Sequence, residues 1–208
     1  MGRQATDTKQ KLIETALELL WKNSYGSVSV HDICKAADVR KGSFYHFFPS
    51  KADLAIATME ETHLTMKPAY DQVFSADKDP VARFESFADM VYEGQAQIAA
   101  KYGHVCGCPL ACLGSETAAQ EDGISAKFQE LSRRKERYYE SALRDMVVEG
   151  LLPATTDIKA KAQEVSSYII GQLTLARIQN DLKILKQNLK PGLLRLLGVE
   201  EKRAERVA

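Results

Sequence analysis

Two groups of residues in this chain carry chemistry. The first is a run of basic, hydroxyl and aromatic side chains, Arg40, Lys41, Ser43, Tyr45, His46 and Lys51, threaded through VSVHDICKAADVRKGSFYHFFPSKAD from Val28 to Asp53. Tyrosine, histidine and lysine suit phosphate oxygens, which set register, while Lys41 and Ser43 could reach base edges. Gly42 lets a nucleic-acid backbone come close with no side chain in the way. Ser29 and His31 open the preceding segment, where a helix start offers free amides to a phosphate. The second group is His104, Cys106, Cys108 and Cys112, and three readings of it stay open. These are small buried apolar residues, thiols that sense by reacting, or metal ligands. All four ligands compressed over a helix start is poor zinc geometry, so no metal is assigned. A Cys-His enzyme would need a third orienting residue and an oxyanion element, and neither is recognisable. No catalytic residue and no cofactor are assigned.

Helices must position both groups. Thr6 or Asp7 caps a first helix to about Lys22, with Leu12, Ile13, Ala16, Leu17, Leu19 and Leu20 at helical spacing. Asn23-Ser24 ends it, asparagine tolerating a left-handed stop. Ser29 and Asp32 form a capping-box pattern for a second helix whose core face is Val30, Ile33, Cys34 and Ala37. In the third, Phe44 and Phe47 or Phe48 point inward, leaving Lys41, Ser43, Tyr45 and His46 outside. Ser50 and Asp53 cap a fourth helix carrying Leu54, Met59 and Leu64, with a kink or break at Pro68. A fifth starts at Asp79-Pro80 and a sixth at Pro109. A seventh follows Gly123 and carries Phe128, Tyr138, Ala142 and Met146. An eighth holds Ile169, Leu173 and Ala176. A ninth holds Leu185, Leu189 and Leu193, interrupted at Pro191-Gly192. No strand pattern or repeat is present, so the fold class is all-α.

The bulk numbers set limits. At 208 residues and 45 % hydrophobic the chain can bury a sizeable core. A formal net charge of zero argues against wholesale coating of nucleic acid, yet basic residues are in excess up to Lys51. No apolar run approaches the roughly 20 residues of a membrane span, and the N-terminus has no signal-peptide pattern. A cytoplasmic address with no membrane partner is expected.

Residues Ser29 to Leu54 resemble the DNA-binding signature of the TetR family of bacterial repressors. The resemblance is carried by Ala36-Ala37-Asp38-Val39 followed by Lys41-Gly-Ser-Phe-Tyr-His-Phe-Phe-Pro-Ser-Lys51 and Asp53-Leu54, with Tyr25-Gly26-Ser27-Val28 upstream. It departs at two positions: Asp38 stands where the family has glycine, and Arg40 where it has a Ser or Thr cap. The resemblance implies an N-terminal three-helix helix-turn-helix DNA-binding domain (1–52), a larger C-terminal helical ligand-binding and dimerisation domain (53–200) and a charged tail (201–208). It also implies a homodimer on a pseudo-palindromic double-stranded DNA operator, released by a small-molecule effector. Ile169, Leu173, Ala176, Leu185, Leu189 and Leu193 would then pair with a second copy. An apolar effector cavity would lie between the fourth and seventh helices, with Tyr70, Phe74, Tyr92, Tyr102, Phe128, Tyr138 and Tyr139 as candidates. Gly107-Cys108-Pro109-Leu110 further resembles a branch of the family in which some members respond to electrophiles or oxidants through that cysteine. Cys108 is the expected sensor, with Cys106 or Cys112 resolving an oxidised sulfur. The alternative is a metal-responsive regulator using His104, Cys106, Cys108 and Cys112.

Overall fold

The structure, a computed structural model, describes residues 2–118 and 120–199, with side chains from residue 7 onward. The charged tail expected over 201–208 lies outside them. The described chain folds as α1 (Gly2–Lys22), α2 (Val30–Ala36), α3 (Lys41–Phe47), α4 (Lys51–Val73), α5 (Pro80–Tyr102), α6 (Pro109–Thr117), α7 (Asp122–Val148), α8 (Ile158–Gln179), a π turn (Leu185–Leu189) and α9 (Lys190–Leu196). Among the described residues there is no strand, so the all-α expectation holds. None of the described helices is long and apolar enough to cross a membrane.

Packing divides the chain into two compact units. The first comprises residues up to Met66 together with Pro109–Leu131, and the second Lys67–Cys108 together with the chain from Ser132 onward. Two helices, α4 and α7, contribute to both.

In the first unit Leu12, Ile13, Ala16 and Leu20 of α1 are buried with Ile33, Cys34 and Ala37 of the second helical segment and Phe44 and Phe48 of the third. Trp21 sits half-buried near the end of α1. Helix α1 starts at Gly2, so Thr6 and Asp7 lie inside it rather than capping it. Its end is not left-handed at Asn23. Instead, the Asn23 backbone N–H and side-chain Nδ2 both donate to the Leu19 carbonyl, each at 3.0 Å. Leu64 on α4 is 52 % exposed and belongs to no core face.

In the second unit one apolar core gathers α5, α8, the π turn and α9, with the C-terminal parts of α4 and α7. Pro68 does not break α4, which continues to Val73. Pro191 does not interrupt the last helical run either. It follows the π turn, whose wider coil eases the clash between the ring and the preceding turn and tolerates the missing N–H. Tyr168 closes over this point, its hydroxyl donating to the Asn188 carbonyl at 2.7 Å. A Cβ on Gly192 would lie 1.7 Å from that hydroxyl oxygen.

The burial pattern corrects the dimer assignment. Ile169, Leu173, Ala176, Leu185, Leu189 and Leu193 are each at most 6 % exposed within a single copy, all in the second unit's own core. The opposite face of α8 is the open one, with Ser167, Gly171, Thr174, Leu175 and Ile178 exposed at helical spacing. Leu175 is 44 % and Ile178 74 % exposed.

Candidate nucleic-acid interface and effector site

The helix pair around the turn is assembled from local bonds. Ser29 caps α2: its Oγ accepts from the Asp32 backbone N–H at 3.2 Å, and the Asp32 carboxylate accepts from the Ser29 N–H at 2.9 Å. The Ser29 hydroxyl, which also donates to the Asp32 carboxylate at 2.6 Å, and then the Ser29 backbone N–H hold that carboxyl below its ordinary pKa. Ala37 closes α2, and Asp38 then turns left-handed at φ 54°. That conformation costs most L-residues about 1–2 kcal/mol, aspartate being among the more tolerant. The turn is completed by the Val39 N–H donating to the Cys34 carbonyl at 2.9 Å. Cys34 is buried, its thiol pKa raised by desolvation, as expected of a packing residue.

Helix α3 then starts at Lys41 with Arg40 in the N-cap position and no side-chain cap. Phe44 is fully buried and Phe48 4 % exposed, anchoring the helix by one face. Arg40, Lys41, Gly42, Tyr45 and His46 are exposed, as are Ser29 and His31 at the start of α2, while Ser43 is half-buried. Tyr45 stands 55 % exposed, its ring edge-on to Phe44 at 5.1 Å between centroids. A Cβ built on Gly42 meets nothing within 4 Å, so nothing inside the chain calls for glycine there.

The uncapped start of α3 gives a measurable trade. An Arg40→Ser variant gains a cap worth about 1 kcal/mol, which raises the melting temperature by roughly 2–4 °C. If Arg40 meets a phosphate, the same change weakens DNA binding and lowers the log–log salt slope by about 0.9 per contact. Thermal melts and salt-titrated binding on one preparation check both signs.

Lys51 has a different place from the one its sequence position suggested. Its ammonium donates to the carbonyls of Tyr25 at 2.8 Å and Val28 at 3.1 Å, and lies 3.9 Å from the centroid of the Tyr25 ring. Burial lowers its pKa. Tyr25 is itself held from α6 and the loop after it. Its backbone N–H donates to Glu116 Oε2 at 2.7 Å, and its hydroxyl to Glu121 Oε1 at 3.2 Å. Burial, then the Glu121 carboxylate, pushes the Tyr25 phenol up to about 12. Lys51 therefore braces the loop before α2 instead of reaching out as a free phosphate arm. Lys51→Met should cost about 2 kcal/mol, or roughly 4–8 °C in melting temperature, as two charge-assisted bonds in a half-buried setting are lost. A melt unchanged within error would refute the brace.

The cysteines separate. Cys106 is fully buried, and burial pushes its thiol pKa up. Cys108 is half-buried in the second unit, packed against the core. Cys112 is half-buried on α6 in the first unit. All three are free thiols. Among the described residues no three His, Cys, Asp or Glu side chains converge on a point able to hold a metal, so His104, Cys106, Cys108 and Cys112 do not form one site.

Of the aromatic candidates, Tyr70, Phe74, Tyr138 and Tyr139 cluster with Phe84 and Phe87 in the second unit. Tyr138 donates to Asp71, and burial with that carboxylate pushes its phenol up to about 12. Phe128 lies in the first unit against Gly114. Tyr92 is half-buried against the second core, and Tyr102 ends α5 under the Lys101 ammonium, 4.7 Å from its ring centroid. Sequence reasoning missed Gln95 and Asn180, polar residues whose partners lie 12 and 75 positions away.

Comparison with known proteins decides the family. The sequence profile of the bacterial regulatory proteins of the tetR family matches residues 12–58, which span all of α2 and α3. The transcriptional regulator AcuR of Cereibacter sphaeroides is 36 % identical over 155 residues, covering 74 % of this chain and 69 % of that protein. The crystal structure of the regulatory protein TetR from Rhodobacter sphaeroides superposes with a TM-score of 0.77 at 32 % identity, covering 91 % of this chain and 96 % of that one. The chain belongs to the TetR family. Its relatives are helix-turn-helix transcriptional regulators and repressors. The HTH-type transcriptional repressor NemR of Escherichia coli is 24 % identical over 124 residues, covering 58 % of this chain and 59 % of that protein. The crystal structure of the reduced form of NemR shares the fold, with a TM-score of 0.76, 20 % identity, and 90 % and 95 % of the two chains covered. The match to the TetR family thus extends well beyond the turn that first suggested it.

Proposed function

We propose that this chain is a TetR-type repressor that binds a pseudo-palindromic operator as a homodimer and releases it when a small electrophile or oxidant modifies Cys108. The observation that carries the DNA-binding half is α3: a helix anchored by Phe44, with Arg40, Lys41, Tyr45 and His46 exposed on it and open space over Gly42. A helix of this kind suits the major groove. Two copies would read half-sites about 34–36 Å apart, one turn of the duplex. Pairing would use the exposed face of α8, from Ser167 to Ile178. A regulator of this kind works in the cytoplasm, beside its operator.

The signal half rests on Cys108 being the part-exposed thiol of the loop while Cys106 is fully buried. A relative described as a repressor, NemR, is also known in a form called reduced, which is in keeping with a thiol trigger.

The test uses a pool of randomised duplexes of about 30 base pairs, long enough for two half-sites one turn apart. Enrichment of a twofold-symmetric sequence supports the reading, and no enrichment over the starting pool overturns it. The enriched duplex is then bound with and without methyl vinyl ketone, an alkene activated by a carbonyl. Affinity should fall at least about tenfold, roughly 1.4 kcal/mol, on treatment of the wild type and stay constant in Cys108→Ser. An equal fall in both would move the signal away from Cys108.

A further inference from the structure

The connector between α1 and α2 is held from a part of the chain that a three-helix reader does not itself contain. All three polar groups of Tyr25 are engaged. Its N–H donates to Glu116 Oε2 at 2.7 Å, its hydroxyl donates to Glu121 Oε1 at 3.2 Å, and its carbonyl accepts from the Lys51 ammonium at 2.8 Å. The two glutamates lie 91 and 96 positions further along the chain, on α6 and in the short loop after it. Lys51, the first residue of α4, donates also to the Val28 carbonyl at 3.1 Å. These bonds converge on the stretch from Tyr25 to Val28, immediately before the Ser29 cap of α2.

A connector at the surface ordinarily leaves its amides to water. Here Tyr25 is 8 % exposed and its amide meets a carboxylate instead, the stronger kind of bond. The far side of the hold is no loose arm. Helix α6 packs on α1, and Lys127 near the start of α7 pairs with Glu60 of α4 at 3.0 Å. Residues 109–131 belong to the same compact unit as α2 and α3. The apolar core around Leu12, Ile33 and Phe44 already accounts for the packing of α1, α2 and α3 on one another. The bonds to Tyr25 add a separate constraint, on where α2 begins. By charge alone, two carboxylates beside the DNA-reading helices oppose binding to phosphate. An effect of theirs on placement therefore has the opposite sign to their effect as charges, and the two can be told apart.

We propose that Glu116 and Glu121 are positioning residues of the DNA reader: through Tyr25 they fix where α2 begins, and so how α3 is presented to base edges, which raises the preference for the operator over other DNA. This rests on the DNA-binding reading above and adds to it residues of α6 and the loop after it. Hydrogen bonds to base edges need their donors in place, whereas attraction to phosphate tolerates displacement. Loss of the hold therefore costs specific binding and spares the non-specific kind.

The experiment measures fluorescence anisotropy with two duplexes, the enriched operator and one of equal length drawn from the starting pool. Glu116→Ala and Glu121→Ala each remove an acceptor, while Glu116→Gln and Glu121→Gln remove the charge and keep an acceptor oxygen. Tyr25→Phe keeps the ring and loses only the bond to Glu121, so it tests the hold should an alanine variant not fold. Circular dichroism and thermal melts establish that each protein is folded at the temperature of measurement. Each alanine variant should bind the operator about tenfold more weakly, the loss that one mismatched base pair causes, and the other duplex at least as tightly as wild type does. Tyr25→Phe should lose preference for the operator as Glu121→Ala does, and the glutamine variants should keep it. Alanine variants that retain the wild-type preference, or that weaken on both duplexes equally, overturn the positioning role, as does a loss shared equally by the glutamine variants. A wild type with no preference for the enriched duplex overturns the DNA-binding reading itself, and the positioning role with it.

Discussion

Ile178→Asp should turn the protein from dimer to monomer and abolish operator binding along with it. Ile178 is 74 % exposed on a helix whose other face is already committed to the core of its own chain. Leu175, at 44 % exposure, is its neighbour on the open side. Burying an isoleucine is worth about 1.5–3 kcal/mol, and a twofold interface counts each substitution twice. Placing a carboxylate there adds the cost of desolvating a charge. Dimerisation should weaken by about 3–6 kcal/mol, which raises the dissociation constant at least a hundredfold. Sedimentation equilibrium at micromolar concentration measures this directly, and the same variant should keep its helical circular dichroism. Wild-type protein that sediments as a monomer, or a variant that still dimerises, would remove α8 as the pairing face. The six residues first assigned to this role predict a different outcome. Leu189→Ala, for example, should destabilise the fold by about 2–5 kcal/mol as a cavity forms in the monomer core.

The second large effect is expected from the double variant Lys41→Ala with Tyr45→Ala. Both side chains are exposed, so the fold should change by no more than about 0.5 kcal/mol. A base-edge contact from Lys41 is worth about 1–3 kcal/mol, Tyr45 adds a phosphate contact, and a dimer presents both twice. Operator affinity should fall by on the order of a hundredfold or more, toward the non-specific level. The contrast with Lys51→Met separates a reader from a brace. Loss of a lysine that meets phosphate lowers the salt slope by about 0.9 per contact, whereas loss of a brace weakens binding through the fold and leaves the slope unchanged. Fluorescence anisotropy across a salt series, run beside thermal melts, distinguishes the two.

Much of the DNA-reading pair was legible in the chain because its determinants are local. The Ser29–Asp32 box joins residues three apart, the left-handed Asp38 stands where the resembling family has glycine, and the missing cap at Arg40 is a matter of residue type. What sequence could not supply was long range. Nothing near Lys51 announces that its partners are the carbonyls of Tyr25 and Val28, or that Tyr25 reaches Glu116 and Glu121 more than ninety positions on. The apolar stripe on α8 was seen, but periodicity does not tell which of two partly apolar faces packs inside one chain. Ile169 and Leu173 turned out to be core, and Leu175 and Ile178 were left open. Proline was over-read twice: α4 absorbs Pro68, and the π turn accommodates Pro191. The thiol group was located by its spacing. The burial of Cys106 was not legible there, since it depends on the loop after α5 packing against α8.

The position of Trp21 equips the protein with a built-in optical probe. It is the sole tryptophan in the chain, and it lies half-buried on α1 in the same compact unit as the DNA-reading helices. Cys108 and the aromatic cluster around it belong to the other unit. Excitation at the red edge of the tyrosine band therefore reports on one unit alone. A change in Trp21 emission when Cys108 is alkylated would be a message received, recorded with no label attached and no DNA in the cuvette.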